Sequence, residues 1–232
     1  MVDLHSHVLF EIDDGAQSIE ASVEILKRAI DAKINKMMAT PHFSIGDDVD
    51  IFLDRRNRRL EALRAALKEQ EMDICLKGGA EVYITDEIFN EDKLDKLTME
   101  GSNIMLTEFK YHSLKPETFL DYVDEIQKNG IRVLVAHPER YSYLMANPRL
   151  LEALLNREAL LQVNAISLFE EGEEGEFARF LVKNELAHVI GSDIHHPGSR
   201  RLKAMKKLGE SDTAYIVRAL NDVPDKIFEG VF

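Results

Sequence analysis

Seven short apolar runs, with helical patterning between them, constrain this chain more than any other feature. They cover residues 2–5, 36–40, 74–80, 103–108, 131–136, 160–164 and 188–192. The last four begin at 103, 131, 160 and 188, at intervals of 28, 29 and 28 residues. A strand and its crossover helix take ~30 residues, so this cadence predicts successive β/α units with parallel strands. Between the runs, Ile19, Val23, Leu26, Ile30 and Ile34 share one helix face behind a Ser18 cap, and Leu53, Leu60, Leu63 and Leu67 share another. Further helices are predicted over 118–128, ended by Asn129-Gly130, and over 148–155, 176–184, 199–209 and 212–220. No linker or shift in composition divides the chain, which predicts one α/β domain over 1–232. Its strands form either a closed or distorted barrel or an open doubly wound sheet, and periodicity alone leaves both open.

Each predicted strand ends in a side chain able to bind metal or hydrogen-bond: His5 and His7, His42, Glu81, Glu108, His137, Asn164, then Asp193 and His195. Parallel α/β folds build their sites at the carboxyl ends of strands, so these groups would meet on one rim. His5 and His7 are two apart, as are Asp193 and His195, and strand residues two apart project to the same side. Glu81 closes a strand end beside glycines, where a buried carboxylate needs a cation or a donor. Asp14 follows the first strand and reads either as part of an N-terminal turn or as a further ligand. His112, His188 and His196 are read as ordinary surface or core residues. Nitrogen and oxygen donors without sulfur suit two or three ions of the Mn, Fe or Zn type.

The ordered set His5-x-His7, Asp14-Gly15, Thr40-Pro41-His42, Gly79-Ala80-Glu81, Glu108, His137 and Ser192-Asp193-x-His195 resembles the PHP (polymerase and histidinol phosphatase) superfamily. Within it, residues 3–7 with Asp13-Asp14-Gly15, His137-Pro-Glu-Arg-Tyr141 and Gln162-Val-Asn164 are similar to the bacterial manganese-dependent protein tyrosine phosphatases of capsule and exopolysaccharide operons, the CpsB/YwqE type. The resemblance implies a distorted (β/α)7 barrel with three divalent metals, Mn foremost. One ion would take His5, His7, Glu81 and Asp193, a second Glu81, Glu108 and His137, and a third Asp14, His42 and His195. It also implies a phosphate-binding Arg140 and a second arginine after Asp193-x-His195, where Arg200 fits best and Arg201 is the fallback. The implied chemistry is phosphomonoester hydrolysis by a hydroxide bridging two metals. The implied partner is a phosphotyrosine protein, a bacterial tyrosine autokinase of polysaccharide export. A histidinol-phosphatase-type activity on a small metabolite is the alternative, and a non-catalytic metal-binding module is the alternative of another class.

The remaining sequence narrows the chemistry. Phosphatases with a Cys nucleophile carry an Arg six residues on, whereas Cys75 is followed at that spacing by Glu81, which would repel a phosphate. With 29 Lys and Arg against 42 Asp and Glu, the net charge is −13, which argues against nucleic acid as a partner. The opening residues show no leader and no stretch reaches the ~18 apolar residues of a membrane span. One cysteine fits a reducing compartment, so a cytoplasmic protein without membrane insertion is expected. Arg55, Arg56, Arg58, Arg59 and Arg64 read as a solvated helix face or as a docking surface for an acidic partner. The stretch 170–176 reads as an exposed acidic loop. Tyr83, Tyr111 and Tyr141 read as core or as walls of a phosphotyrosine pocket.

Overall fold

The structure, a computed structural model, describes residues 1–44 and 46–232. Its parallel strands are β1 (Val2–Asp3), β2 (Lys36–Ala39), β3 (His42–Phe43), β4 (Cys75–Gly78), β5 (Glu81–Tyr83), β6 (Ile104–Glu108), β7 (Arg132–Ala136), β8 (Leu160–Asn164) and β9 (Val189–Gly191). They pair in the orders β1-β2-β4 and β3-β5-β6-β7-β8-β9. The helices are α1 (Ile19–Asp31), α2 (Val49–Glu69), α3 (Pro116–Lys128), α4 (Ser142–Met145), α5 (Pro148–Leu155), α6 (Glu173–Lys183), α7 (Arg201–Gly209), α8 (Ala214–Val217) and α9 (Val223–Glu229). Ser18 caps α1 by accepting from the Ala21 amide. None of them is long and apolar enough to cross a membrane.

After two of the seven runs, 36–40 and 74–80, the chain breaks and resumes as a second short strand, β3 or β5. The first break is at Thr40-Pro41, where proline has no N–H to continue the ladder, and the other is at Gly79-Ala80. Backbone bonds carry the pairing across the breaks, from the Thr40 amide to the Ser6 carbonyl at 2.8 Å and from the Glu81 amide to the Pro41 carbonyl at 3.0 Å. The ends of the sheet also meet. Ser6 bridges Ile194 in parallel, the His7 amide donates to the Ile194 carbonyl at 2.8 Å, and the Asp193 amide donates to the His5 carbonyl at 2.8 Å. The first run pairs with the last, so the open doubly wound sheet is excluded and a distorted (β/α)7 barrel remains.

Strand alternation sorts the two layers of core. Ile104, Leu106, Leu134, Leu160 and Val189 point into the barrel with Val2, Leu4 and Met38. Their neighbours Met105, Val133, Val135, Leu161 and Ile190 point out against the helices. Continuing the inward parity up β6, β8 and β9 brings Glu108, Gln162, Asn164 and Asp193 to the carboxyl end. The floor of the barrel is closed by α9, whose Val223, Ile227 and Phe228 join the interior cluster. Lys36 Nζ fastens this helix to Asp225 (2.6 Å) and Glu229 (2.7 Å). The sequence pattern had ended at residue 220; the chain instead runs from α8 through a π-helical turn over Arg218–Asp222 into α9, with Pro224 just after that wider turn.

Of the arginines of α2, Arg55, Arg58 and Arg64 are exposed, Arg59 is half-buried and only Arg56 is buried. Arg55 and Arg59 reach the carbonyl and carboxylate of Glu11, Arg56 reaches the Gly79 carbonyl, and Arg64 reaches the Leu76 carbonyl. Arg58 lies beside Asp54.

Candidate metal centre

All nine candidate ligands gather at the carboxyl rim. The tightest group comes from both ends of the sheet. His5 Nε2 and His7 Nε2 lie 3.2 Å apart, each 3.2 Å from Glu81 Oε2 and 3.5 Å from Asp193 Oδ1. Glu81 then links outward: its Oε1 is 2.9 Å from His137 Nε2, and its Oε2 is 3.2 Å from His42 Nδ1. Glu108 lies 3.7 Å from His137 and 3.9 Å from His42. Asp14 Oδ1 is 3.5 Å from both His42 Nε2 and His195 Nε2.

These donors fit divalent ions. Distances of 3.2 and 3.5 Å between ligand atoms are the edges expected of a coordination polyhedron with bonds of about 2.0–2.2 Å. Imidazole nitrogens and carboxylate oxygens buried face to face are also the donor set that a divalent ion would take. Three overlapping groups each bring their atoms close enough for one ion: His5, His7 and Glu81; His42, Glu81 and Glu108; and His7, Asp14, His42 and His195. The buried Nδ1 of His137 has no hydrogen-bond partner, which leaves that ring held from its Nε2 side alone.

Behind the ligands runs a buried chain of amides. His5 Nδ1 donates to Gln162 Oε1 at 2.7 Å, Gln162 Nε2 donates to Asn164 Oδ1 at 2.9 Å, and Asn164 Nδ2 donates to Asp193 Oδ2 at 2.8 Å. Gln162 was missed as a support, although a glutamine inside an otherwise apolar strand is the signal for one. Asp13 was missed as well; it accepts from His7 Nδ1 at 2.8 Å.

A cavity of about 510 Å³ opens over the rim. Arg140 enters from the turn after β7, with Nη1 3.8 Å from Asp193 Oδ2 and its guanidinium 6.0 Å from the Tyr111 ring. Arg201 enters from the start of α7, with Nη1 2.5 Å from the same oxygen. Arg200 does not reach the cavity: it is exposed, because a one-residue step turns a helical side chain by about 100°. The second arginine of the site is therefore Arg201. Tyr111 lines the cavity and donates to Glu108 Oε1, whereas Tyr141 is wholly buried and donates no such contact to the cavity. His196, read as ordinary, also lies on the cavity wall. A neighbouring cavity of about 460 Å³, between Phe43, Tyr83 and Glu87, has carboxylates but no histidine or arginine among its described lining residues.

The charges of the rim are interdependent. Burial opposes a proton on His7, but its bonds to Asp13, Asp193 and Glu81 outweigh this and raise its pKa well above the ordinary value. Burial also opposes charge on His5, and Glu81 and Asp193 raise it. Burial pushes the carboxyls of Glu81 and Asp193 up, yet the nearby histidines, His5 foremost, hold both well below the usual range.

A pH dependence of the metal-free protein follows. His5 and His7 stay protonated in the folded state after the unfolded chain has released those protons near pH ~6.5. Stability from them is complete below about pH 6.5 and is lost as pH rises through the raised values. His195, shifted down chiefly by burial, is neutral in both states over that range. The Met1 amino group is also lowered and works in the opposite sense, one group against two. The urea midpoint of chelator-treated protein should fall between about pH 6.5 and 8.5, and added Mn should restore most at the upper end, where it meets neutral ligands. A midpoint that is flat or rising without metal would show that the two histidines carry no extra proton.

A parallel barrel that gathers five histidines and four carboxylates at the carboxyl ends of its strands, beside two arginines, belongs to the class of α/β barrels built around a metal-binding rim. More narrowly, the chain belongs to the CpsB/CapC family of capsular polysaccharide synthesis, whose sequence profile matches residues 1–224. It is 32% identical over 200 residues to CapC of Staphylococcus aureus, covering 84% of this chain and 77% of that one. It is 29% identical over 211 residues to the tyrosine-protein phosphatase CpsB of Streptococcus pneumoniae, covering 86% and 85%. Among solved structures, those of the metal-dependent tyrosine phosphatases YwqE from Bacillus subtilis and CpsB from Streptococcus pneumoniae give a TM-score of 0.82 at 23% identity, over 99% of this chain and 95% of the other. Histidinol phosphate phosphatase from Lactococcus lactis shares the fold at a TM-score of 0.62 and 18% identity, over 94% of each chain.

Proposed function

We propose that this protein is a metal-dependent phosphomonoester hydrolase that removes phosphate from tyrosine in a protein substrate, a bacterial tyrosine autokinase controlling capsule or exopolysaccharide synthesis. The observation that carries the reading is the approach of His5 and His7, each 3.2 Å from Glu81 and 3.5 Å from Asp193, under a cavity that also admits two guanidinium groups. Membership of the CpsB/CapC family and the similarity to CpsB support the substrate class.

In this reading His5, His7, Glu81 and Asp193 hold one ion, Glu81, Glu108 and His137 a second, and Asp14, His42 and His195 a third, with Mn as the metal. Divalent ions so held bring the pKa of water down toward ~7 and supply a nucleophile for phosphorus at neutral pH. Arg140 and Arg201 bind the phosphate oxygens with forked, permanently charged donors. Burial opposes the charge on Arg140, but Asp193 and Tyr111 keep its pKa above the ordinary arginine value, so it stays cationic. Asp193 holds both arginines toward the cavity through its second oxygen. Tyr111 forms the aromatic wall, tied down by its bond to Glu108. A tyrosine leaving group has a pKa of ~10 and departs with modest help from a proton donor. The lone exposed Cys75 and the absence of a membrane-crossing helix among the described residues are consistent with work in the cytoplasm on one domain spanning 1–232.

Mn-loaded protein assayed on a phosphotyrosine peptide, histidinol phosphate and single-stranded DNA tests this. The peptide should exceed histidinol phosphate by about 10²-fold or more in kcat/KM, and DNA should not turn over. An autophosphorylated bacterial tyrosine kinase should be a better substrate than the peptide alone. A preference for histidinol phosphate would replace the reading with the small-molecule one. Failure on all substrates at full metal content would leave a binding module.

A further inference from the structure

Of the adjacent pair that follows β1, the side chain of Asp14 is 71% exposed and that of Asp13 only 4%. The buried carboxylate touches three separate parts of the rim. Asp13 Oδ2 accepts from His7 Nδ1 at 2.8 Å and from the His42 amide at 3.0 Å, while Oδ1 accepts from the Gly15 amide at 2.9 Å. We propose that Asp13 is a positioning residue of the metal centre, one that fixes the His7 tautomer and sets His42 in register with it.

The tautomer follows from donor and acceptor chemistry. An ionised carboxylate can only accept, so the ring proton of His7 must sit on Nδ1. Nε2, which faces Glu81 and Asp193, is then the ring nitrogen that gives up its proton to a bound ion. The geometry suits an ionised Asp13, because its two oxygens accept from three N–H donors, on His7, Gly15 and His42. His5 is held differently, by the neutral oxygen of Gln162. Only His7 of this pair is polarised by an anion, which makes its Nε2 the more basic donor. His7 and His42 each belong to two of the three ligand groups, so one carboxylate braces all three. The loop is shaped for this contact. A Cβ on Gly15 would lie 2.2 Å from the His7 carbonyl oxygen, so only glycine lets the chain fold back closely enough to present Asp13.

The inference rests on the metal centre proposed above, and metal binding rather than turnover is its readout. Asp13→Asn keeps the shape but turns an N–H₂ toward one of three N–H donors. Dialysis against buffered Mn with elemental analysis should show binding weakened about 10–100-fold, the range found for partners behind a ligand. Raising Mn to saturation should bring kcat back to within about tenfold of the parent, because the ligands themselves remain. Equal Mn affinity in parent and variant overturns the proposal, including the case where activity alone is lost. If the parent itself binds no Mn, the metal-centre reading fails instead. Melting of the two chelator-treated proteins checks folding. Should the variant not fold, the unmodified protein decides: loaded with diamagnetic Zn and labelled with ¹⁵N-histidine, it should show the His7 proton on Nδ1. A proton on Nε2 would overturn the assignment.

Discussion

Glu81→Gln should yield a folded protein that retains little or no divalent metal and loses phosphatase turnover to background. Its two oxygens lie within 3.2 Å of four imidazoles, those of His5, His7, His42 and His137. An amide offers one acceptor where the carboxylate offers two charged ones, and its N–H₂ would point at an imidazole nitrogen. The loss has a second component in the metal-free state. Glu81 is the principal anion facing His5, and it faces the protonated His7 together with Asp13 and Asp193. Removing the partner of a buried charge costs about 3–5 kcal/mol, so the chelator-treated variant should melt well below chelator-treated parent near neutral pH. Elemental analysis after gel filtration measures the first effect and calorimetry the second. A Glu81→Gln protein with full metal content would remove this residue from the centre.

Arg140→Ala should behave in the opposite manner, with metal content spared and catalysis reduced. Loss of one pre-aimed donor to a developing anion lowers kcat by about 10²–10³-fold, and a permanently charged guanidinium belongs at the upper end of that range. Arg140→Lys should recover only part, since an ammonium lacks the fork and would not lie against Tyr111 at the same distance. The split matters more than either number. If metal binding falls in step with turnover, Arg140 acts through Asp193, 3.8 Å away, rather than on phosphate. Normal kinetics in Arg140→Ala would remove the phosphate role.

Much of this molecule was legible in the sequence, and the illegible parts share a cause. The cadence of apolar runs reports strands buried on both faces, and an ionisable residue at the end of such a run stands out against it. Closure of the barrel was not legible, because it rests on backbone bonds at Ser6 and Ile194 that no side chain announces. The C-terminal floor was hidden because the helical run continues past residue 220 through a π-helical turn, which tolerates Pro224. The choices between Asp13 and Asp14, and between Arg200 and Arg201, were hidden for a different reason. Each turns on which way one residue faces, and the direction is set by contacts outside its own element: Asp13 by His42, and Arg201 by Asp193.

Pairing of the first strand with the last has a consequence during synthesis. The innermost group of donors draws on residues 5, 7, 81 and 193, so a chain still on the ribosome has no complete site until nearly all of it has emerged. Contacts this distant in sequence make folding slow relative to helical proteins of similar size. Premature capture of a cation by His5 and His7 alone would be weak, with only two donors in place. The nascent polypeptide is thereby guarded against committing its ligands to the wrong ion before its neighbours arrive.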